Sequence, residues 1–339
     1  LPAGTVIARE QNYIYTFHKD NAALQAAAPV KETETQAIYS GKNFKAVFDK
    51  KSGMLVSYKY NGMEYILSGQ GLHPNFWRAP IDNDYGAGLP HKLGVWKEVS
   101  YGEVTAAVFN ARNGEVTCSY KFPKADASWD ITYKIYADGV IKVNNRFVAA
   151  NEKTPMIPRI GLRMQMPETF TTLTYYGRGP EENYRDRRTS QFFGEYSLPI
   201  KDMYEPYIRP QENNHRTDIY WCAFTNKSGA GLLLVADRTF ELNASNHPLE
   251  TLDSGDDLHN AAPRTAETDH RHLTDPKPEK VVDVFVDYRM MGIGGDNSWG
   301  ALPHEPYLIR TGSGNAIEYG FTLVPFGRKV DFRNLIYQY

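Results

Sequence analysis

Hydrophobic and polar residues alternate with a period of two along most of this sequence, which is the pattern of β-strands with one buried face. No window keeps a helical period for longer than about two turns. The turn dipeptides Asn61-Gly62, Asn113-Gly114 and Asp138-Gly139 separate neighbouring runs, so the pattern predicts successive hairpins. The strands predicted before residue 150 are Phe44–Asp49, 54–60, 63–67, 104–109, Glu115–Phe122, 129–136 and 140–148.

The fold class predicted from this pattern is all-β, with one large sandwich of two antiparallel sheets. Residues 5–16 have strand character, 21–30 are rich in alanine, and 31–35 are polar. We therefore predict a boundary near Tyr39, with a strand and a linker in 1–38 and the sandwich in 39–339. Because the sequence opens at Leu1 in the middle of a pattern, we expect it to be a piece of a longer polypeptide.

Composition excludes several classes of protein. Among 339 residues, 41% are hydrophobic and 13% aromatic, which is enough for a sizeable core. With 38 basic and 40 acidic residues the net charge is −2, so the chain lacks the positive field that nucleic acids or anionic membranes attract. No apolar run approaches the ~18 residues of a membrane span, and we expect a soluble protein. Cys118 and Cys222 are too few for a disulfide framework or a four-cysteine zinc site.

A β-branched run at 281–286 leads into the segment Met291-Gly-Ile-Gly-Gly-Asp-Asn-Ser-Trp299. Its glycines allow backbone conformations that larger residues avoid, and Asp296, Asn297 and the serine after them readily bond nearby backbone groups. We therefore predict a loop of fixed shape that presents Trp299, whose indole would stack on the C–H face of a sugar while Asp296 and Asn297 reach its hydroxyls. The other interpretation is that Trp299 fills the edge of a core. The turn does not match a phosphate cradle, because it lacks the following lysine and a clear helix.

Three long polar and aromatic loops, at 75–86, 175–188 and 198–215, exceed what ordinary turns need. The first places Arg78 within reach of Asp82 and Asp84. One interpretation is a lattice of ion pairs and hydrogen bonds that orders the loops over a sheet face. The other is a carbohydrate cleft, since arginine, carboxylate, asparagine and tyrosine bond sugar hydroxyls.

Six motifs occur in order along the sequence. They are Arg78-Ala-Pro-Ile-Asp-Asn-Asp, Tyr176-Gly-Arg-Gly-Pro-Glu-Glu-Asn-Tyr, Asp202-Met-Tyr-Glu-Pro-Tyr, Pro210-Gln-Glu-Asn, His270-Arg-His-Leu and Met291-Gly-Ile-Gly-Gly-Asp-Asn-Ser-Trp. With these motifs the sequence resembles the C-terminal domain of large bacterial β-galactosidases, the small-chain-like fifth domain of glycoside hydrolase family two. The resemblance covers residues 39–326, and residues 1–11 resemble the last strand of the immunoglobulin-like domain that precedes it.

The resemblance implies a β-supersandwich of the kind shared with galactose mutarotases. It also implies that Trp299 reaches the active site of the parent enzyme and stacks on the sugar in the aglycone or acceptor position. Asp296 and Asn297 would shape that loop, and Asn297 stands where some relatives carry aspartate. The expected substrate-binding residues are therefore Trp299, Asp296 and Asn297.

No catalytic residue is assigned to this chain. Retaining glycoside hydrolysis needs two carboxyl groups ~5 Å apart, and in the resembled enzymes both belong to a (β/α)₈ barrel that this sequence does not contain. Glu181 and Glu182 do not replace them, because adjacent residues on an extended chain point to opposite faces.

The resemblance also implies a parent enzyme that hydrolyses terminal β-D-galactosides with retention, and a fragment that is inactive alone. The galactoside would be shared with the barrel domain, the parent would be a homo-oligomer, and any Mg and Na ions would belong to other domains. The sequence does not give the compartment, which leaves both bacterial cytoplasm and periplasm open. No metal site and no cofactor are expected in this chain.

Two alternatives remain open. An aldose 1-epimerase (mutarotase) would need a general acid and base, and the candidates are His215, His270 and His272 with Glu212 or Asp269. His270 and His272 would share one face of a strand and could also hold a metal. A non-catalytic carbohydrate-binding module would bind sugar measurably as an isolated chain.

Overall fold

The computed structural model describes residues 2–12, 26–67, 69–150, 154–253, 272–297, 300–312 and 315–339. Within these ranges every pairing between named strands is antiparallel. A smaller sheet pairs, in spatial order, β1 (Val30–Glu32), β2 (Gln36–Ser40), β3 (Phe44–Asp49), β4 (Leu55–Tyr60) and β5 (Met63–Glu64).

A larger sheet contains the remaining strands of the described chain. They are β6 (His73–Asn75), β7 (Val108–Arg112), β8 (Glu115–Phe122), β9 (Ala127–Ile135), β10 (Ile141–Ala149), β11 (Arg159–Pro167), β12 (Phe170–Gly179), β13 (Phe192–Pro199), β14 (Arg216–Asn226), β15 (Gly231–Ser245), β16 (Val281–Met290) and β17 (Ala316–Phe326). Its main path runs β13-β12-β14-β15-β17-β10-β9-β8-β7, with β16, β11 and β6 branching from β15.

The 15-residue strand β15 makes this branch possible. Its first part, Gly231 to Ala236, pairs with β17, and its second part, Glu241 to Ser245, pairs with β16. The two branches of the sheet therefore share one continuous strand. The two sheets enclose one principal hydrophobic core.

The helices of the described chain are short. They are α1 (Asp82–Gly86), α2 (Leu89–Lys92), α3 (Gly94–Tyr101), α4 (Leu249–Leu252) and α5 (Arg333–Ile336), with 3₁₀ turns at Pro123–Ala125, Ile200–Asp202 and Glu305–Tyr307. None of the helices in the described ranges has the length and hydropathy that crossing a bilayer requires.

The hairpins predicted from the alternating pattern are confirmed where turn residues mark both ends. Strands β3 and β8 have the predicted bounds, and β9 and β10 begin and end within two residues of them. Two predictions were wrong in extent. The strand expected at 104–109 lies at Val108–Arg112, and only Met63–Glu64 of 63–67 is strand, because pairing with the neighbouring strand and not side-chain pattern fixes where a ladder begins.

The N-terminal strand predicted at 5–16 is not found within residues 2–12, the only part of it that is described. A strand needs a partner for its backbone groups, and the bonds that these residues make to other described residues are a turn, Thr5 N to Pro2 O, and side-chain contacts. Strand β2 includes residues on both sides of the predicted boundary at residues 38 and 39. The boundary itself stays a prediction.

Strands β11 and β16 present one apolar and one polar face. Arg159 and Arg163 on β11 lie beside Asp283 and Asp287 on β16, and we call these four residues the polar face. Arg163 makes two bonds to Asp283, both 2.9 Å, and Arg159 Nε lies 2.9 Å from Asp287 Oδ2. All four are buried. Glu212, after β13, and Glu250, after β15, lie over this face and contact Arg159 and Arg163.

Candidate functional site

The chain leaves β16 at Met290 and enters what we call the glycine loop, residues 291–297. Two backbone bonds of 2.9 Å hold its first residues, from Met291 N to Pro158 O and from Gly292 N to Tyr307 O. Further along, Gly300 lies so close to α1 that an added Cβ would be 2.3 Å from the carbonyl carbon of Gly86. The chain at Gly300, just after the loop, is therefore packed tightly against the end of α1.

Arg78 binds the carbonyl groups of the glycine loop. Its Nη1 donates to Met291 O at 2.7 Å and its Nη2 to Gly292 O at 3.1 Å, while Asp84 accepts from Nε and Nη2 at 3.0 and 2.8 Å. Asn83 adds a bond of 3.0 Å to Ile293 O. Arg78 is 1% exposed, so these charge-assisted bonds form away from water. The sequence-based pairing with Asp84 is confirmed, whereas Asp82 contacts Gln211 at 3.4 Å.

Asp186 binds the amide groups of the same loop. Its Oδ1 accepts from Ile293 N at 3.1 Å and its Oδ2 from Gly294 N at 2.8 Å. A positive side chain thus holds the carbonyl groups of the loop and a negative one holds its amides. The apolar cluster Ile81, Tyr184, Met290 and Ile293 packs beside these contacts.

The third predicted loop, 198–215, is hydrogen-bonded to the first loop, 75–86, and to the second, 175–188. Glu212 N donates to Ala79 O at 3.1 Å, and Asn214 N donates to Glu182 Oε2 at 2.7 Å. The three loops expected to be functional thus form one lattice around the glycine loop, as the ion-pair interpretation predicted.

Asp296 and Asn297 lie at the exposed end of the glycine loop. Asp296 was expected to bond nearby backbone, but its Oδ2 lies 2.5 Å from His304 Nε2, and this hydrogen bond raises the pKa of His304. The loop is held in shape by Arg78, Asn83 and Asp186 instead. Trp299 and Ser298 lie outside the described residues, so the role expected for Trp299 stays a prediction.

His304 is a site residue that the sequence reasoning missed. It stands eight residues after Asp296 in sequence, and both side chains are about two-thirds exposed. Imidazole and carboxylate groups in solvent bond sugar hydroxyls readily. No sequence signal marks this pair, because it forms only when the chain turns back on itself.

His215, one of the mutarotase candidates, lies beneath the loops and is 1% exposed. Its Nδ1 is 2.7 Å from Asn243 Oδ1, its Nε2 is 3.0 Å from Glu241 Oε2, and its ring stacks on Tyr184. Both nitrogens therefore face oxygen acceptors, and neither reaches solvent. Glu241 also accepts from Met290 N at 2.7 Å, so His215 helps to hold the end of β16. This environment favours a structural role.

The other mutarotase candidates are not brought together in the described chain. His272 is exposed and lies 3.3 Å from Asp275, and Glu212 is buried beside Arg159 and Asn243. His270 and Asp269 lie outside the described residues. No group of three or more histidine, cysteine or acidic side chains suited to a metal occurs among the residues that were described.

Glu241 and Asp287 are the carboxylates that neighbouring strands place opposite each other beneath the loops. They are 3% and 0% exposed, and each is bound by an arginine, Arg185 or Arg159. Burial raises the pKa of Asp287 to about 7, with Arg159 opposing that rise. Because a substrate cannot reach either group, this pair cannot perform glycoside hydrolysis in this packing.

Comparison with known families and proteins gives consistent results. Residues 40–323 match the family described as "Beta galactosidase small chain". The chain is 34% identical over 313 residues to a β-galactosidase of Priestia megaterium (strain DSM 319 / IMG 1521), with 91% of this chain covered, and 29% identical over 333 residues to one of Streptococcus thermophilus, with 96% covered. The chain spans only 28% and 30% of the length of those two relatives.

Among solved structures, a galactose mutarotase related enzyme from Lactobacillus acidophilus superposes with a TM-score of 0.50. The alignment covers 86% of this chain and 98% of that one at 10% sequence identity. A likeness at this identity shows a shared fold and nothing about activity. The all-β supersandwich of the galactose mutarotase-like type, expected from the sequence, is thereby confirmed.

Proposed function

Because this chain belongs to the β-galactosidase small-chain family, we propose that it is the small-chain part of an enzyme that hydrolyses terminal β-D-galactosides with retention of configuration. The chain contributes one wall of the acceptor side of the active site. A barrel domain elsewhere in the enzyme contributes the acid/base and the nucleophile.

One observation carries the site part of this proposal. The glycine loop is held from both sides by buried or half-buried charges, yet it ends in the exposed residues Asp296 and Asn297, which Ser298 and Trp299 follow in sequence. Such a loop has little freedom of its own, and a rigid support suits a stacking residue because little entropy is lost when a sugar binds. Trp299 would stack on the acceptor sugar while Asp296 and Asn297 bond its hydroxyls.

An assembly surface is the second part of the proposal. Tyr176 and Tyr220 are 38% and 44% exposed on the outer face of the larger sheet, and their rings lie 5.8 Å apart with Phe193 beside both. We call these three residues the aromatic patch. Exposed aromatic clusters of this kind are typical of protein interfaces, which supports a homo-oligomeric parent.

The decisive assay compares this 339-residue chain alone with the same chain joined to a barrel-bearing β-galactosidase portion, using a chromogenic β-galactoside. We expect hydrolysis only by the longer protein, since the buried carboxylates of this chain do not reach substrate. Hydrolysis by the short chain would overturn the proposal that the catalytic carboxyl groups belong to a barrel domain. Accelerated mutarotation of α-galactose by the short chain would favour the epimerase alternative.

The site part is tested by Trp299→Ala in the longer protein. Stacking is worth about 1 kcal/mol beyond area burial, so transfer to a sugar acceptor should fall about fivefold relative to hydrolysis. Unchanged transfer and unchanged kinetics would show that Trp299 has no role in the acceptor site.

A further inference from the structure

We propose that Asp186 is a positioning residue of the acceptor-side sugar site, which it serves by fixing the glycine loop that leads into Trp299. This inference rests on the proposed function, because it assigns Asp186 a role in the site where Trp299 acts. Asp186 lies between β12 and β13 in sequence, more than a hundred residues before the loop it binds.

The first argument is the fit between Asp186 and the loop. Its two carboxylate oxygens accept from two consecutive amides, Ile293 N and Gly294 N, and this bidentate geometry fixes both the position and the orientation of the peptide. At Gly292 an added Cβ would lie 2.5 Å from Asp186 Oδ2. The carboxylate therefore occupies space that only glycine leaves free.

The second argument is that neighbouring backbone groups of the loop, three carbonyls and one amide, are also bound. Arg78 and Asn83 take the carbonyl groups of Met291, Gly292 and Ile293, and Tyr307 O accepts from Gly292 N. Arg78 is held by Asp84 and is buried, so it cannot follow the loop if the loop moves. Loss of Asp186 would free the amide side while the carbonyl side stays bound, and the peptides at Ile293 and Gly294 would then turn.

The third argument is the position of Asp186 relative to the exposed end. Gly294 has a φ of +73°, and two residues later the chain reaches Asp296, whose carboxylate meets His304. The field of Asp186 also contributes to the raised pKa of His304. A change at Gly294 is therefore passed directly to the residues that would bond the acceptor sugar.

The test uses the longer β-galactosidase carrying Asp186→Asn, Trp299→Ala or both, with an aryl β-galactoside as donor and glucose as acceptor. An asparagine keeps one acceptor oxygen but turns an NH₂ group towards one of the two backbone amides, so one of the two hydrogen bonds to the loop is lost. We expect Asp186→Asn to lower the ratio of transfer to hydrolysis about threefold to fivefold and to raise the KM for glucose. The kcat for aryl release without glucose should stay within about twofold.

The double variant distinguishes positioning from a general structural effect. If Asp186 acts through Trp299, then Asp186→Asn should change the ratio by less than about 1.5-fold in the Trp299→Ala background. An equal effect in both backgrounds would show that Asp186 does not act through Trp299. An unchanged ratio for Asp186→Asn, with a lowered ratio for Trp299→Ala, would overturn this inference alone. An unchanged ratio for Trp299→Ala would overturn the proposed site.

Two further variants complete the design. Asp218→Asn is the matched control, because that carboxylate binds Arg178 at 2.7 Å and Arg188 at 2.6 Å without bonding the glycine loop, and its ratio should match the wild type. Gly292→Ala places a methyl group against the Asp186 carboxylate and should reproduce the lowered ratio of transfer to hydrolysis. This variant tests the proposal even if Asp186→Asn folds poorly. A wild-type ratio for Gly292→Ala in a folded enzyme would contradict the proposal.

Discussion

Buried charged side chains in this protein are bound to groups that compensate their charge. Arg78, Arg159 and Arg163 are at most 6% exposed, and each contacts a buried aspartate at 3.0 Å or less. Removing one member of such a pair typically costs 3–5 kcal/mol, because the other is left buried without a partner. Of these three pairs, only Arg78 with Asp84 is close enough in sequence to have been predicted.

His73 is a buried histidine for which a pH effect is expected. Burial lowers its pKa to about 4, and its Nδ1 lies 2.7 Å from Gly71 O. Because the pKa of His73 is lower in the folded protein, the unfolded chain binds the proton at a higher pH than the folded chain does. Stability therefore falls as pH drops from about 6.5 to about 4. We expect His73 to account for a loss of about 3 kcal/mol over that range.

The measurement is the free energy of unfolding at several pH values for the wild type and His73→Gln, since glutamine keeps an N–H donor but does not titrate. Asp287, with its pKa raised to about 7, changes stability in the opposite direction, so the difference between the two proteins isolates His73. His272→Gln is the control, because His272 is exposed. A wild-type pH profile for His73→Gln would show that His73 is not the group responsible.

At the scale of elements, the hairpins were predictable and the short helices were not. Hairpins depend on local signals, such as Asn113-Gly114 between β7 and β8, that act over a few residues. Helix α3 spans only eight residues, and its position depends on Trp96, which packs on Phe76 and donates to Met156 O. A segment of that length is too short to be stable without such contacts, so its propensity carried little information.

Helix α5 packs against the outer face of the larger sheet. Phe332, which immediately precedes it, is 8% exposed and contacts the rings of Trp221 and Phe326, while Arg333 bonds Glu195. We expect Phe332→Ala to lower the free energy of unfolding by about 3 kcal/mol, because it leaves a cavity above Trp221. Denaturant titration measures this change.

Tyr337 provides the matched control for Phe332, since it lies at the other end of α5 but is 57% exposed. Tyr337→Ala should lower the free energy of unfolding by clearly less than Phe332→Ala does, because more than half of the Tyr337 side chain is already exposed. If both variants were equally destabilised, the effect would come from helix formation and not from packing on Trp221.

At the scale of the whole molecule, the aromatic patch leads to a prediction about assembly. Tyr176→Ser with Tyr220→Ser in the longer protein should weaken self-association, because it removes exposed aromatic area from the proposed interface. Sedimentation over a range of concentrations measures the effect, and Tyr337→Ser is a control that removes another exposed ring. Unchanged sedimentation of the double variant would place the interface elsewhere.

The sequence by itself determined the all-β class, the order of the hairpins and the family, because each depends on residues that are neighbours in the chain or on motifs read in order. It also indicated that the loop before Trp299 would be held in shape. The tertiary structure alone decided what holds it. Arg78 and Met291 are 213 positions apart, and Asp186 and Ile293 are 107 apart. No local pattern encodes such a contact, since it exists only after the sheets bring both segments to the end of β16.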